Sequence, residues 1–117
     1  MEETIVFSFD GDEDPEVLEA YQNAIREWVR RVYDATQERV PRESGFLASS
    51  GSYTVSFDDD IGTIEYSADY AEYVERGVEG RFEGRRYIED SIDEWEPLFG
   101  DIFLDYLNDT FEVREGS

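Results

Sequence analysis

Asp14 to Pro41 reads DPEVLEAYQNAIREWVRRVYDATQERVP, and its periodicity decides the fold. Asp14 offers a side-chain acceptor at a helix start, Pro15 suits the first helical position, and Glu16 places negative charge at the positive end of the helix dipole. Leu18, Tyr21, Ile25, Trp28, Val29 and Val32 follow at steps of three and four, which puts one apolar stripe along one face. Arg26, Arg30 and Arg31 share the other side with Glu27 and Asp34, and Glu27 to Arg31 is a favourably oriented i, i+4 pair. A residue before proline is pushed out of the helical region, so Val40 ends the segment. The expectation is one helix from Pro15 to about Arg39.

Outward from this helix, the chain alternates. Thr4 to Phe9 reads as a strand with Ile5, Phe7 and Phe9 on one face. Asp10-Gly11-Asp12-Glu13-Asp14 has aspartates at every second place. Pro15 stands where a calcium loop needs glycine and Tyr21 where it needs glutamate, so the stretch reads as a solvated acidic turn. Tyr53, Val55 and Phe57 alternate with Ser52, Thr54 and Ser56, Asp58-Asp59-Asp60 with Gly62 makes a turn, and Thr63 to Ser67 returns with Ile64 and Tyr66 inward. The hairpin is expected over 51–57 and 63–67. Tyr70, Tyr73 and Val74 then fall at helical spacing in a short helix over 68–76, stopped by Gly77.

Tyr87, Ile88, Ile92, Trp95, Phe99, Ile102, Phe103, Tyr106 and Leu107 repeat at helical steps, which predicts a last helix over 85–107. Pro97 is expected to kink it, because the stripe stays in phase through the proline. Asn108 to Ser117 should fray. The fold class is therefore α+β: a single domain over 1–117, in which a small antiparallel sheet packs on a long N-terminal helix and a C-terminal helix.

With 117 residues, 39% hydrophobic and 15% aromatic, the chain can fill one modest core. All ten basic residues are arginine, against thirty-one acidic ones, for a net charge of -21. Excess carboxylate without lysine suits molar salt, where the Debye length falls to about 3 Å and self-repulsion is screened. The composition thus points to a halophilic cytoplasm. Neither cysteine nor histidine occurs, which removes thiolate chemistry, the usual neutral-pH proton shuttle and the commonest metal ligands. No apolar run reaches membrane length, and the acidic start does not resemble a signal peptide. Carboxylates occur in every segment, so none stands out as a hydrolase acid, and no glycine loop carries a phosphate-binding lysine. The expectation is a non-enzyme without cofactor or metal, without direct nucleic-acid recognition and without a membrane.

The order of motifs resembles a family. Pro41, Ser44, Gly45 and Leu47 precede a strand; Tyr70, Ala71, Tyr73, Val74, Glu75 and Gly77 follow the hairpin; Tyr87 and Ile88 open the last helical segment. This pattern, over about two thirds of the chain, resembles the small tail-component or tail-completion proteins of long-tailed viruses, which sit in rings where the capsid neck meets the tail. Arg76, Val78, Arg86 and Asp90 depart from it. The resemblance implies a virion protein forming a homo-oligomeric ring, a hexamer among the counts it allows, in contact with tail tube, terminator or head-connector subunits. The composition adds a halophilic archaeal host, in whose cytoplasm assembly would occur. Candidate interface residues are Phe46 and Leu47, an apolar pair in a polar loop, and Arg81, Phe82, Arg85 and Arg86, whose aromatic-arginine composition is that of a contact anchor. Two alternatives stand beside this reading: an acidic DNA mimic or adaptor of a halophile, and, further off, a carboxylate-based hydrolase.

Overall fold

The computed structural model describes residues 1–9, 14–42 and 45–115, with only the backbone for 112–115. The acidic stretch Asp10 to Glu13, and Ser44 of the motif, lie outside the described residues. The architecture is α+β, a small antiparallel sheet against a long N-terminal helix and a C-terminal helix. The molecule is elongated, 60 × 25 × 22 Å with a radius of gyration of 17.0 Å, against about 13 Å for a compact chain of 100 residues.

Helix α1 spans Pro15–Arg39. Asp14 caps it through Oδ1, which accepts from the Glu16 amide at 2.9 Å, and Val40 closes it in an extended conformation. Tyr21, Ile25, Trp28, Val29 and Val32 are buried as the stripe requires, while Leu18 is half-buried. Strand β1 is Glu2–Val6, β2 is Gly51–Ser56 and β3 is Ile61–Tyr66, in the order β1-β3-β2 with both pairs antiparallel. The first strand therefore sits two residues earlier than its sequence pattern suggests and ends before Phe9. Its partner runs out: Val6 faces Ile61, and beyond it β3 gives way to the aspartate turn. Phe7 and Phe9 still pack on the core, where Phe9 stacks on Tyr21 at 4.2 Å and Phe7 meets Trp28 edge-on at 5.8 Å.

Gly62 belongs to the strand and not to the turn. It pairs with Ile5 and Val55, and a Cβ there would lie 2.7 Å from Val29 Cγ2, so glycine is needed for helix α1 to reach the sheet. The turn itself is made by Asp58 to Asp60, with Asp60 at φ 54°. The loop holding Phe46 and Leu47 contains a single helical turn, α2, Phe46–Ser49.

The last segment is two helices and not one kinked helix. Helix α4, Glu89–Trp95, passes through a 3-10 turn at Glu96–Leu98 into α5, Phe99–Glu115, so the helical path continues while the α pattern breaks around Pro97. Proline has no amide to donate, and the tighter turn absorbs that loss. The stripe stays in phase: Ile88, Ile92, Trp95, Phe99, Ile102 and Phe103 all pack on the core. The segment opens at Glu89 instead of Arg85, because the amides of Arg85 and Arg86 bond to the carbonyls of Val74 and Glu75. At the other end α5 carries on through Glu115, where fraying was expected from Asn108.

Candidate interaction surface

Helix α3, Ala71–Arg76, is set by what it buries. Ala71 is fully buried, and its carbonyl accepts from the Tyr87 hydroxyl at 3.0 Å. Tyr87 meets Tyr66 edge-on at 5.0 Å. The Tyr66 hydroxyl accepts from Gln37 Nε2 at 2.8 Å and lies 2.7 Å from Thr36 Oγ1, which donates to the Tyr33 carbonyl at 2.6 Å. Donor order follows: Thr36 spends its proton on the Tyr33 carbonyl, so Tyr66 gives its proton to Thr36.

Glu75 is the one buried carboxylate among the described residues, at 1% exposure. Its two oxygens accept the amides of Ile88 at 2.7 Å and Glu89 at 3.0 Å, so it caps the start of α4 from another helix. Burial pushes its carboxyl above the ordinary glutamate value, the two amide bonds pull it back down, and nearby Glu89 and Glu3 push it up again. Glu75 is thus the pin that holds α3 to α4.

Gly77 follows at φ 80° and pairs with Glu83 in a two-strand ribbon, β4 (Gly77–Val78) and β5 (Phe82–Glu83). A Cβ on Gly77 would strike the Gly84 amide and lie 2.7 Å from the Phe82 carbonyl, so both its handedness and its lack of side chain are required.

With Ala71 and Glu75 inward, the 100° step of a helix turns Tyr70, Tyr73 and Val74 to one flank and Glu72 and Arg76 to the other. Both tyrosines are on the surface, Tyr73 at 60% exposure. On the charged flank Arg76 bonds Glu72 at 2.6 Å and Glu3 at 3.5 Å. On the apolar flank Tyr70 stacks with Phe46 at 6.2 Å, and Val74 shares an open groove of about 600 Å³ with Pro41, Phe82 and Arg85. Phe82 is half exposed.

The candidate contact residues divide accordingly. Leu47, at 3% exposure, is core and leaves the surface set: α2 tucks it inward while Phe46 stays out. Arg86 is held at φ 49° by Glu89 at 2.8 Å and Asp90 at 3.0 Å, with Asp93 at 3.8 Å, so it is occupied by its own chain. Arg81 and Arg85 have no carboxylate within 4.0 Å among the described residues. Phe46, Phe82 and Arg85 thus border the apolar flank of α3, and Arg81 sits at the turn of the β4–β5 ribbon, its amide on the Val78 carbonyl. Tyr70 and Tyr73 belong to the same surface, and their helical spacing in the sequence did not place them among the candidate contact residues. Among the described residues no group of three or more acidic side chains could hold a metal ion, and no helix is long and apolar enough to cross a membrane.

A scan against protein-family models, a search of curated proteins and a search of solved structures each find no match to this chain.

Proposed function

We propose that this chain is a structural component of a tailed-virus particle, a ring-forming protein of the neck or tail junction that acts by packing and has no turnover of its own. The observation that carries the reading is the apolar flank of α3. In a chain of net charge -21, four exposed aromatic rings and a half-buried valine stand with Arg85, and with Arg81 on the β4–β5 ribbon, two arginines that no carboxylate of the described residues approaches within 4.0 Å. An acidic protein repels other acidic proteins, and cations held at a hydrophobic contact give attraction and register. Arginine suits this in brine because its planar fork pairs with carboxylates through two bonds and is weakly hydrated.

The family-like motif divides in a way that fits the reading. Ala71, Glu75 and Gly77 build the scaffold, and Tyr70 and Tyr73 stand on its outer face. The composition supports a halophilic archaeal host. The test is the triple variant Arg81→Glu, Phe82→Ala, Arg85→Glu in molar potassium chloride. It is expected to keep the helical circular dichroism of the parent and to be left out of particles assembled with the other structural proteins. Incorporation at the parental level would refute the assignment of this face.

A further inference from the structure

The three-stranded sheet ends in two uncovered strands, β1 and β2. Met1 exchanges both of its backbone bonds with Tyr66, at 3.0 and 2.9 Å, and the Phe7 amide bonds the Asp60 carbonyl at 2.8 Å. Inward and outward residues alternate in an antiparallel ladder, so Glu3 and Ile5 use their amides on β3 while Glu2, Thr4 and Val6 turn theirs outward. On the far side the Ser67 amide bonds the Ser50 carbonyl at 3.2 Å. Ser52 and Thr54 therefore face β3, and Gly51, Tyr53 and Val55 face outward. Within the described residues no further hydrogen bond reaches these two outward rows.

Both rows border open space. Tyr53, Thr54 and Val55 line a groove of about 620 Å³ together with Arg26, Arg30 and Tyr106. Successive strand residues point to opposite faces, so a space lined by three in a row opens on the strand's edge. Ile5, Val6, Phe7 and Ser8 line a second groove, of about 530 Å³, with Glu96 and Phe99. The flanking charges are opposite. Glu27 also lines the β2 groove, but it is engaged by Arg31 at 3.7 Å and by the Tyr106 hydroxyl at 2.8 Å. Arg26, which bonds Asn23 and lies over Phe57, and Arg30 have no carboxylate within 4.0 Å among the described residues, and Glu2 and Glu96 at β1 are exposed and make no ion pair there.

We propose that copies of this chain join edge to edge, β1 of one extending the sheet of the next along its β2. Pairing β1 with β1 would set Glu2 and Glu96 against their own copies, and pairing β2 with β2 would do the same to Arg26 and Arg30. Only the unlike pairing brings opposite charges together. Both strands run antiparallel to β3 and hence in the same direction, so the new ladder is parallel. A contact between two different edges does not close with two copies and runs on into a ring or a filament. The pairing rests on the ring reading for its biological place but not for its geometry, and it leaves the α3 flank free for another component.

The chain has no cysteine, so single thiols report the pairing cleanly. Thr4 and Thr54 are exposed and lie on the same, outer face of the sheet. Mixed Thr4→Cys and Thr54→Cys proteins, treated with a short bismaleimide in molar potassium chloride, are expected to give a cross-linked heterodimer, and neither alone a homodimer. Homodimers in place of the heterodimer, or no product at all, would overturn the pairing. Val6→Pro removes an outward amide and no bond to β3, and is expected to reduce the mass by light scattering from a multiple to a single chain with unchanged circular dichroism. If rings of the parent persist in Val6→Pro, the edge pairing fails and the ring stands; if the parent itself has a single-chain mass, both fail.

Discussion

Replacing Glu75 by alanine is expected to destabilise the protein by about 2–3 kcal/mol at neutral pH. Two opposing effects set the size. The carboxylate satisfies the Ile88 and Glu89 amides at the start of α4, and leaving a buried donor unsatisfied costs about 1–3 kcal/mol. Against that, removal relieves the burial of a charge, whose penalty is visible in the raised carboxyl pKa. For 117 residues a loss of this size corresponds to roughly 8–12 °C in Tm, at about 2.1 cal/mol/K of unfolding entropy per residue. Glu75→Gln separates the terms, since the amide retains one acceptor and carries no charge. The folded pKa lies above the ordinary value of 4.5, so the native chain binds more protons than the unfolded chain between the two values. Stability from this group is complete below 4.5 and is lost as pH rises through the folded pKa. The parent should therefore gain on the glutamine variant as pH falls through that window. Urea unfolding followed by circular dichroism in molar potassium chloride, at a series of pH values, reads both effects. An alanine variant within about 0.5 kcal/mol of the parent, or a parent that gains on Glu75→Gln as pH rises, would refute the assignment of Glu75 as the pin between α3 and α4.

Gly62→Ala should cost about 1–3 kcal/mol, because its Cβ meets Val29 Cγ2 at 2.7 Å and a helical valine has one favoured rotamer; pairing it with Val29→Ala should recover part of the loss in the same unfolding assay. Leu47→Ala should cost about 2–5 kcal/mol as a core truncation, and Phe46→Ala less than about 1 kcal/mol. Equal effects at the two positions would contradict the division of α2 into a core and a surface residue. Dialysis from molar potassium chloride into dilute buffer should melt the helices as the Debye length grows to about 10 Å and beyond. Full helix and a sharp thermal transition in dilute buffer would remove the halophilic reading.

The candidate surface was only partly legible. Phe82 with Arg81 and Arg85 stood out by composition, an aromatic among arginines and glycines, and that signal is local. Arg86 shares the composition but not the freedom, because its fork is taken by Glu89 and Asp90 once α4 starts three residues later. Tyr70 and Tyr73 carried no sign of exposure. A six-residue helix is too short for its periodicity to say which flank lies inward, and two tyrosines at i, i+3 suit a core as well as a surface.

The sequence by itself determined the elements whose causes are local: the cap, proline and stripe that begin and end α1, the alternation that makes β2 and β3, and the in-phase apolar row from Ile88 to Tyr106. It also determined the net charge of -21 with arginine as the only basic residue, since charge and residue type are properties of composition. Only the tertiary structure decided which groups those elements bury and free. Glu75 is inside because two amides thirteen and fourteen residues later satisfy it. Gly62 lies in a strand because Val29 needs the room, and Tyr70 faces out because Ala71 and Glu75 take the inward side of α3, where the Tyr87 hydroxyl bonds the Ala71 carbonyl. Each depends on a partner distant in the chain, and no pattern of neighbours encodes where that partner will be.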